Sequence, residues 1–475
     1  MAVLQARDPR VLLVVPRYAD RISNVAQTTV GPPLGLAYLA AALRQRGIRV
    51  EILDANAEGL SDAATVARAI AARPDVIGLT AVTPTADQCG RLAAEWKRRL
   101  PSAYIVMGGI HPTVEPEKTL ARLPAIDLLV RGEADVRFAD LLIGLRDGKA
   151  PADFPGLAWR EEGGSIRVAA IPPELADLDA LPFPARELLP MDRYQGPDGA
   201  RFTTMIGARG CPGRCIYCSV NQAFGGRLRL RRPDGIVAEM RECRERFDTR
   251  LFGFIDDTFT TDRDWVRQLC ERMAAAGLPE QARWFCLTRV DRVDRDLLAA
   301  MKRAGCFKVE LGIESGDQAV LDYLGKGVSP TQIRDSFRWA RQAGLQTLAF
   351  VMLFSPAETP ATLAATKRMI FQADPDLLQA SFCTPYPGTQ LARDCERRGI
   401  AISDDWSRFV FLTGPVIEHP LFGREEMIAW QKKLLRAFYL RPRTIWRLAA
   451  AALQSGEWRG LFRAARQALR RLGRN

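Results

Sequence analysis

The sequence predicts two α/β units in tandem. A doubly wound parallel sheet comes first, then a partial barrel of six strand–helix units, then a helical C-terminal region. Three observations carry this. Through residues 1–147, short apolar runs alternate with segments of helical periodicity. The alternation stops over residues 148–198, rich in proline and acid, and restarts near Arg201. The second series places Gly277, Gly305 and Gly344 at helix ends, as parallel barrels do.

Residues 11–15, Val-Leu-Leu-Val-Val, read as a strand buried on both faces. Residues 34–46 have helical period, with Gly47 as the cap. Strands then follow at 50–54, 75–80, 104–107 and 126–130, with helices at 63–72 and 87–100. Ligands of such sheets sit beyond the C-terminal strand ends. The residues there are Pro16-Arg17-Tyr18, Asp54-Ala55-Asn56, Thr80-Ala81-Val82-Thr83, Gly108-Gly109-Ile110-His111-Pro112 and Arg131-Gly132-Glu133. One such loop is a tight turn; five along one edge point to a bulky ligand. Residues 148–198 read as a linker with a small hairpin around 157–168. Residues 199–400 form the barrel, with strands at 202–206, 251–255, 284–287, 308–312, 346–354 and 378–384. Its helices fall near 234–246, 263–276, 294–304, 318–324, 330–343 and 360–372. In the last unit, 401–475, a helix over 425–439 packs on the barrel and an Arg-rich amphipathic pattern covers 444–472.

With 475 residues, 47% hydrophobic and 26% charged, wholesale disorder and fibrous repeats are excluded. No run of uncharged apolar residues is long enough to predict a membrane span, and residues 1–17 lack the pattern of a secretory signal. The expected setting for the ten cysteines is therefore a reducing cytoplasm, where clustered cysteines bind metals or catalyse. The net charge of +12 is concentrated: residues 441–475 hold nine arginines and one acid, Glu457. The basic balance thus describes a tail, and no nucleic-acid partner is expected. Basic residues interleaved with Trp446, Trp458, Leu461 and Phe462 suit a membrane surface or another anionic partner; a helix packed on its own domain fits equally.

The chemistry-bearing motif follows the first barrel strand: Gly210-Cys211-Pro212-Gly213-Arg214-Cys215-Ile216-Tyr217-Cys218, a C-x3-C-x2-C spacing. Three soft thiolates on one loop can hold three corners of an iron–sulfur cluster and leave one iron open. A structural zinc site would want a fourth ligand, and His111 and His419 are distant in sequence. Cys89, Cys243, Cys270, Cys286, Cys306, Cys383 and Cys395 read as packing residues; Cys383, at a strand end, is also placed to line a cavity.

This motif, with Tyr217 before its last cysteine, resembles the radical S-adenosylmethionine superfamily. The segments Phe254-Ile255-Asp256-Asp257-Thr258-Phe259, Glu310-Leu311-Gly312-Ile313-Glu314-Ser315-Gly316 and Thr384-Pro385-Tyr386-Pro387-Gly388-Thr389 are similar to it as well. The first third resembles the cobalamin-binding domain fused to one branch of that superfamily. Pro32-Pro33-Leu34-Gly35-Leu36-x-Tyr38-Leu39, Gly108-Gly109-x-His111-Pro112 and Gly132-Glu133 carry that likeness. The resemblance implies a Rossmann-like cobalamin domain followed by a TIM-like radical barrel, and three cofactors: a [4Fe–4S] cluster, S-adenosyl-L-methionine and cobalamin. Cys211, Cys215 and Cys218 would be the catalytic cluster ligands. Tyr217 would lie against the adenine, and Asp256 and Asp257 would meet the methionyl amine. Arg289 would pair with the carboxylate and Glu314 with the ribose. Pro33, Gly35, Thr80, Gly108, Gly109, His111, Gly132 and Glu133 would line cobalamin, with His111 as an axial ligand or a contact to the nucleotide tail.

Two departures stand out. The D-x-H-x-x-G signature of His-ligated cobalamin is absent; Asp54-Ala55-Asn56 has no histidine after it. Where the superfamily usually has Gly-x-Pro-Gly-Glu-Thr, this chain has Phe354-Ser355-Pro356-Ala357-Glu358-Thr359, so both glycines are replaced. The leading implied reaction is methylation of an unactivated carbon of a small-molecule substrate through methylcobalamin. Electrons would come from a flavodoxin or ferredoxin type donor, and the site would be cytoplasmic, with a peripheral inner-membrane position open through the tail. The alternative is cyclisation without methyl transfer, since Phe438-Tyr439-Leu440-Arg441-Pro442-Arg443 is similar to the anaerobic cyclase and hopanoid-associated subgroup. A tRNA methylthiotransferase would need a second three-cysteine cluster, and residues 1–200 contain only Cys89. A non-catalytic cobalamin carrier would show no cleavage of S-adenosylmethionine.

Overall fold

The computed structural model describes residues 8–18 and 31–455. The first sheet has seven strands in the order β2-β1-β3-β4-β5-β6-β7. β1 (Arg10–Val15), β2 (Arg49–Asp54), β3 (Val76–Thr80), β4 (Tyr104–Gly108) and β5 (Leu128–Val130) run parallel. The order turns back between β1 and β3, and the diverging connections leave a crevice at their C-terminal ends. The helices Leu34–Gln45 and Arg137–Arg146 cover one face through Leu36, Leu43, Phe138 and Leu142. The helix Ala86–Arg99 covers the other through Cys89, Leu92 and Trp96, spaced three and four residues apart.

One expected boundary shifts. β6 (Leu157–Arg160) pairs antiparallel with β5, and β7 (Ile166–Val168) pairs antiparallel with β6. The hairpin placed in the linker is therefore an edge of the first sheet, because its backbone groups complete the β5 ladder. The chain then crosses to the barrel through short turns, anchored where the buried Tyr194 hydroxyl donates to Asp54 at 2.8 Å.

The second sheet is parallel throughout, in the order β15-β14-β13-β12-β11-β8. Its strands are β8 (Phe202–Met205), β11 (Leu251–Phe254), β12 (Arg283–Arg289), β13 (Cys306–Glu314), β14 (Gln346–Leu353) and β15 (Leu377–Phe382). Among the described residues β8 and β15 do not pair, so the barrel is open, as expected. A two-stranded ribbon, β9 (Ala208–Arg209) with β10 (Arg229–Leu230), brackets the cysteine loop. Side chains of Asp262, Asp294, Ser329 and Thr359 cap the following helices. Cys286, Leu311, Val351 and Phe382 pack outward with Leu269, Met301 and Phe337 of those helices. Arg283, Phe285, Leu287 and Arg289 alternate with buried residues along β12 and stay half-buried on its other face.

The C-terminal region is only partly helical. Apart from a turn at Trp406–Arg408, residues 401–423 form an irregular strap. Its Trp406, Phe409, Val416 and Ile417 join the core of the first unit instead of continuing a helix. Helices Arg424–Tyr439 and Pro442–Ser455 follow, the first packing on the barrel. The remainder of the pattern expected over 444–472, from residue 456 onward, lies outside the described residues. Among the described residues no helix is long and apolar enough to cross a membrane.

Candidate active site at the facing strand ends

The cysteine loop leaves β9 and is braced on both sides. The Ile216 N–H donates to the Leu324 carbonyl at 3.0 Å, and its carbonyl accepts from the Leu391 N–H at 2.8 Å. Cys211 and Cys215 are half-buried and Cys218 is exposed; all three are free thiols. Cys211 Sγ accepts the Gly213 N–H at 3.4 Å and lies 3.7 Å from the Thr258 hydroxyl. Arg289 donates Nη1 to Cys215 Sγ at 3.5 Å. A guanidinium and a backbone N–H thus face sulfurs that must be anionic to bind metal. Among the described residues no three His, Cys, Asp or Glu side chains converge on a single metal ion. A cubane asks for something else, since each thiolate binds a different iron. The donor set on this loop fits a cluster with one corner unligated by protein.

Around the loop the structure gathers Tyr217, Asp257, Arg289 and Glu314. Tyr217 is half-buried, and burial with the nearby Glu314 charge pushes its phenol far up. The Asp257 carboxyl, raised to about 6 by burial, makes no hydrogen bond among the described residues. Arg289 is held by Asp291, at 2.9 and 3.1 Å, and by the Lys326 carbonyl. Glu314 ends β13 with φ +59° and accepts from Lys326 Nζ at 2.8 Å.

Asp256 corrects an expectation. It is 3% exposed, and its carboxyl accepts the Gly207 N–H at 3.0 Å and the Ala208 N–H. Burial raises it to about 7. Its carboxyl is thus taken up in bracing the turn after β8.

On the first sheet, Thr80 and Gly108 are register partners at the ends of β3 and β4. Gly109 follows at φ +102°, where a Cβ would lie 2.6 Å from the Ala81 carbonyl, so only glycine passes there. Thr113 donates to the Gly109 carbonyl at 2.8 Å and accepts the Gly132 N–H at 3.0 Å, which stitches the β4 and β5 ends together. The exposed Gly109 and half-buried Thr80, Gly108 and Gly132 form an open edge suited to a large planar ligand. Pro33 and Gly35 start the helix Leu34–Gln45, beside the barrel, where the Pro32 carbonyl accepts from Thr204.

His111 and Glu133 are both held by partners within the protein. His111 is fully buried; its Nδ1 lies 3.3 Å from the Thr83 hydroxyl and its ring meets Trp406 edge-on at 4.3 Å. Burial lowers its imidazole to about 4. It is enclosed under the strap. Glu133 grips Arg229 at 2.7 and 2.8 Å, a buried pair joining the two units. Alongside, Arg209 pairs with Asp135, and Arg186 and Arg231 share the buried Glu239. No motif marked Asp135, Arg209, Glu239 or Lys326; only their unusual burial as charged residues marks them.

A cleft of about 540 Å³ opens between the units, lined by Glu133, Arg137, Leu175, Asn221, Gln222 and Gly225. Asn221 donates to the Gly213 carbonyl at 3.1 Å, so this cleft reaches the cysteine loop.

The B12 binding domain family matches residues 24–142, and the Radical SAM superfamily matches residues 205–370. The chain is 33% identical to an uncharacterized methyltransferase of Pyrococcus horikoshii, over 92% of this chain and 94% of that one. It is 30% identical to the anaerobic magnesium-protoporphyrin IX monomethyl ester cyclase of Cereibacter sphaeroides, over 95% and 72%. Its fold superimposes on the radical S-adenosylmethionine methyltransferase TsrM of Kitasatospora setae, solved with cobalamin and a [4Fe-4S] cluster. The TM-score there is 0.68, with 19% identity, over 82% of this chain and 75% of that one. A B12 domain followed by a radical barrel, and a 33% identical relative aligned almost end to end, lead to one conclusion: the chain belongs to the cobalamin-binding radical S-adenosylmethionine enzymes.

Proposed function

We propose that this enzyme methylates an unactivated carbon of a small-molecule substrate. One observation carries the reading: the three-cysteine loop and the open B12-type sheet edge are joined by buried ion pairs across a shared cleft. When bound, the cluster with S-adenosylmethionine supplies radical hydrogen abstraction, and cobalamin supplies the methyl group. The chain's own residues hold and orient. Cys211, Cys215 and Cys218 ligate the cluster. Asp257, uncommitted beside the loop, takes the methionyl amine, and Arg289 the carboxylate. Tyr217 lies against the adenine and Glu314 meets the ribose. Thr80, Gly108, Gly109 and Gly132 support cobalamin, with Pro33 and Gly35 at its flank. The barrel wall keeps water from the reacting carbon.

Two of the three relatives described above carry methyltransferase in their names, which favours this reading. The second reading is oxidative cyclisation without methyl transfer, favoured by the 30% identical cyclase. Anaerobic reconstitution with a flavodoxin or ferredoxin type donor, followed by product mass, separates them. Gain of one CH2 supports methylation; gain of oxygen or loss of hydrogen supports cyclisation. Failure to release 5′-deoxyadenosine with any candidate substrate sinks both.

The C-terminal helix supports a peripheral position on the cytoplasmic membrane face. Leu440, Ile445 and Trp446 are 59%, 51% and 71% exposed, and Arg443 lies in the same stretch. The Arg-rich residues 456–475 follow directly. Exposed apolar side chains among guanidiniums match anionic lipid. Full-length enzyme should sediment with phosphatidylglycerol vesicles and not with phosphatidylcholine vesicles, and Trp446→Ala with Ile445→Ala should release it. No sedimentation with either vesicle overturns the membrane reading.

A further inference from the structure

We propose that Lys326 is a positioning residue for S-adenosylmethionine, acting through Glu314 and Arg289. The proposal rests on the reading that those two side chains meet the cofactor. Lys326 lies in the turn after the helix Gln318–Tyr323, and its side chain is 6% exposed. Its Nζ donates to Glu314 Oε1 at 2.8 Å. Its carbonyl accepts from Arg289 Nη2. Two residues earlier in the same turn, the Leu324 carbonyl holds the Ile216 N–H of the cysteine loop at 3.0 Å. One short turn therefore touches the loop, the guanidinium and the carboxylate.

The arrangement is built into the strand. β13 and β14 lose register between Gly312 and Glu314, and Glu314 adopts φ +59°, uncommon for a residue with a Cβ. The ion pair folds back over Gly312. A Cβ at position 312 would lie 2.5 Å from Glu314 Oε1 and 2.7 Å from Lys326 Nζ. The glycine makes room for the pair, and the pair sets the carboxylate. With Oε1 fixed by the ammonium, Oε2, which has no partner among the described residues, presents one orientation to a ligand hydroxyl. Ordering the group in advance removes that entropic cost from binding. Lys326 also offsets the Glu314 charge next to a loop of thiolates, and its carbonyl steadies the plane of Arg289 whose Nη1 meets Cys215.

The test uses the full chain, reconstituted without air. S-adenosylmethionine affinity is measured by equilibrium dialysis, beside iron content, melting temperature and the electron paramagnetic resonance spectrum of the reduced cluster with and without S-adenosylmethionine. Lys326→Met should weaken binding about ten- to a hundredfold, the scale of one charge-assisted hydrogen bond, with iron retained. Lys326→Arg should restore most of the affinity. In a Glu314→Gln background, Lys326→Met should add no further loss. Gly312→Ala, which keeps both charges and crowds the pair, should also weaken binding while iron is retained. Wild-type affinity in Lys326→Met overturns the proposal, as do losses that add in the double variant. If Lys326→Met loses iron or melts early, the Gly312→Ala result decides, and unchanged affinity there overturns the proposal. Wild-type affinity in Glu314→Gln removes the underlying reading of Glu314 instead, an outcome separate from all of these.

Discussion

Arg209 of the barrel unit and Asp135 of the first unit meet in a two-pronged ion pair, at 2.7 and 3.0 Å, with both side chains nearly buried. The Glu133–Arg229 pair lies beside it, and Arg209 also approaches Glu133 at 3.7 Å. Together they fasten the loop after β5 to the ribbon that leads into the cysteine loop, so the proposed seats of cobalamin and cluster are held at a set separation. Arg209→Met strands buried carboxylates and should cost about 3–5 kcal/mol of stability. Adding Asp135→Leu should recover part of that loss. Urea unfolding measures both; a single-variant cost below about 1 kcal/mol, the surface-pair level, would mean that the pair holds little.

His111 gives a pH prediction. Its folded-state value, about 4, lies below the ordinary 6.5. A depressed value contributes stability in full above the unfolded value and loses it as pH falls through the folded one. The strap contact should therefore weaken between pH 6.5 and pH 4, by about 3 kcal/mol in total. His111→Phe cannot titrate, so its stability should fall less over this window. Parallel curves for the two proteins would contradict the argument.

Phe354 sits at φ +62°, a conformation that favours glycine, and its ring is buried against Phe382, His419, Phe422 and Trp430. Aromatic packing here outweighs backbone strain. Phe354→Ala loses the ring and keeps the strained backbone, at about 3–5 kcal/mol. Phe354→Gly loses the same ring but relieves the backbone by about 1 kcal/mol. The glycine variant should thus be the more stable of the two by thermal melting, the reverse of the order seen in helices.

Cluster assignment can be read from iron alone. Cys211→Ala, Cys215→Ala and Cys218→Ala should each lose most reconstituted iron, while Cys89→Ala and Cys243→Ala, buried in the two cores, should retain it. Equal iron in all five variants would place the cluster elsewhere.

Much of the fold was legible because its signals are local. Apolar runs at the spacing of strands and glycines at helix ends need only near neighbours, and the cysteine spacing lies within a single loop. The contacts hidden from the sequence share a different cause. Asp256 and Glu133 have the residue types of ligand contacts, but backbone amides of Gly207 and Ala208, and Arg229, claim them. His111 follows a strand end, yet a strap nearly three hundred residues later covers it. The hairpin in the proline-rich stretch looked like a linker because its pairing partner, β5, is a separate element.

The sequence by itself determined the order of the two units, the open barrel and the three-thiolate loop, since periodicity and spacing act over a few residues. Only the tertiary structure decided which charges remain available and which are consumed. Arg209 and Asp135 are 74 residues apart in sequence, and Arg229 and Glu133 are 96 apart. Burial makes an unpaired charge so costly that such partners must meet, but nothing in the chain's local pattern says which ones will.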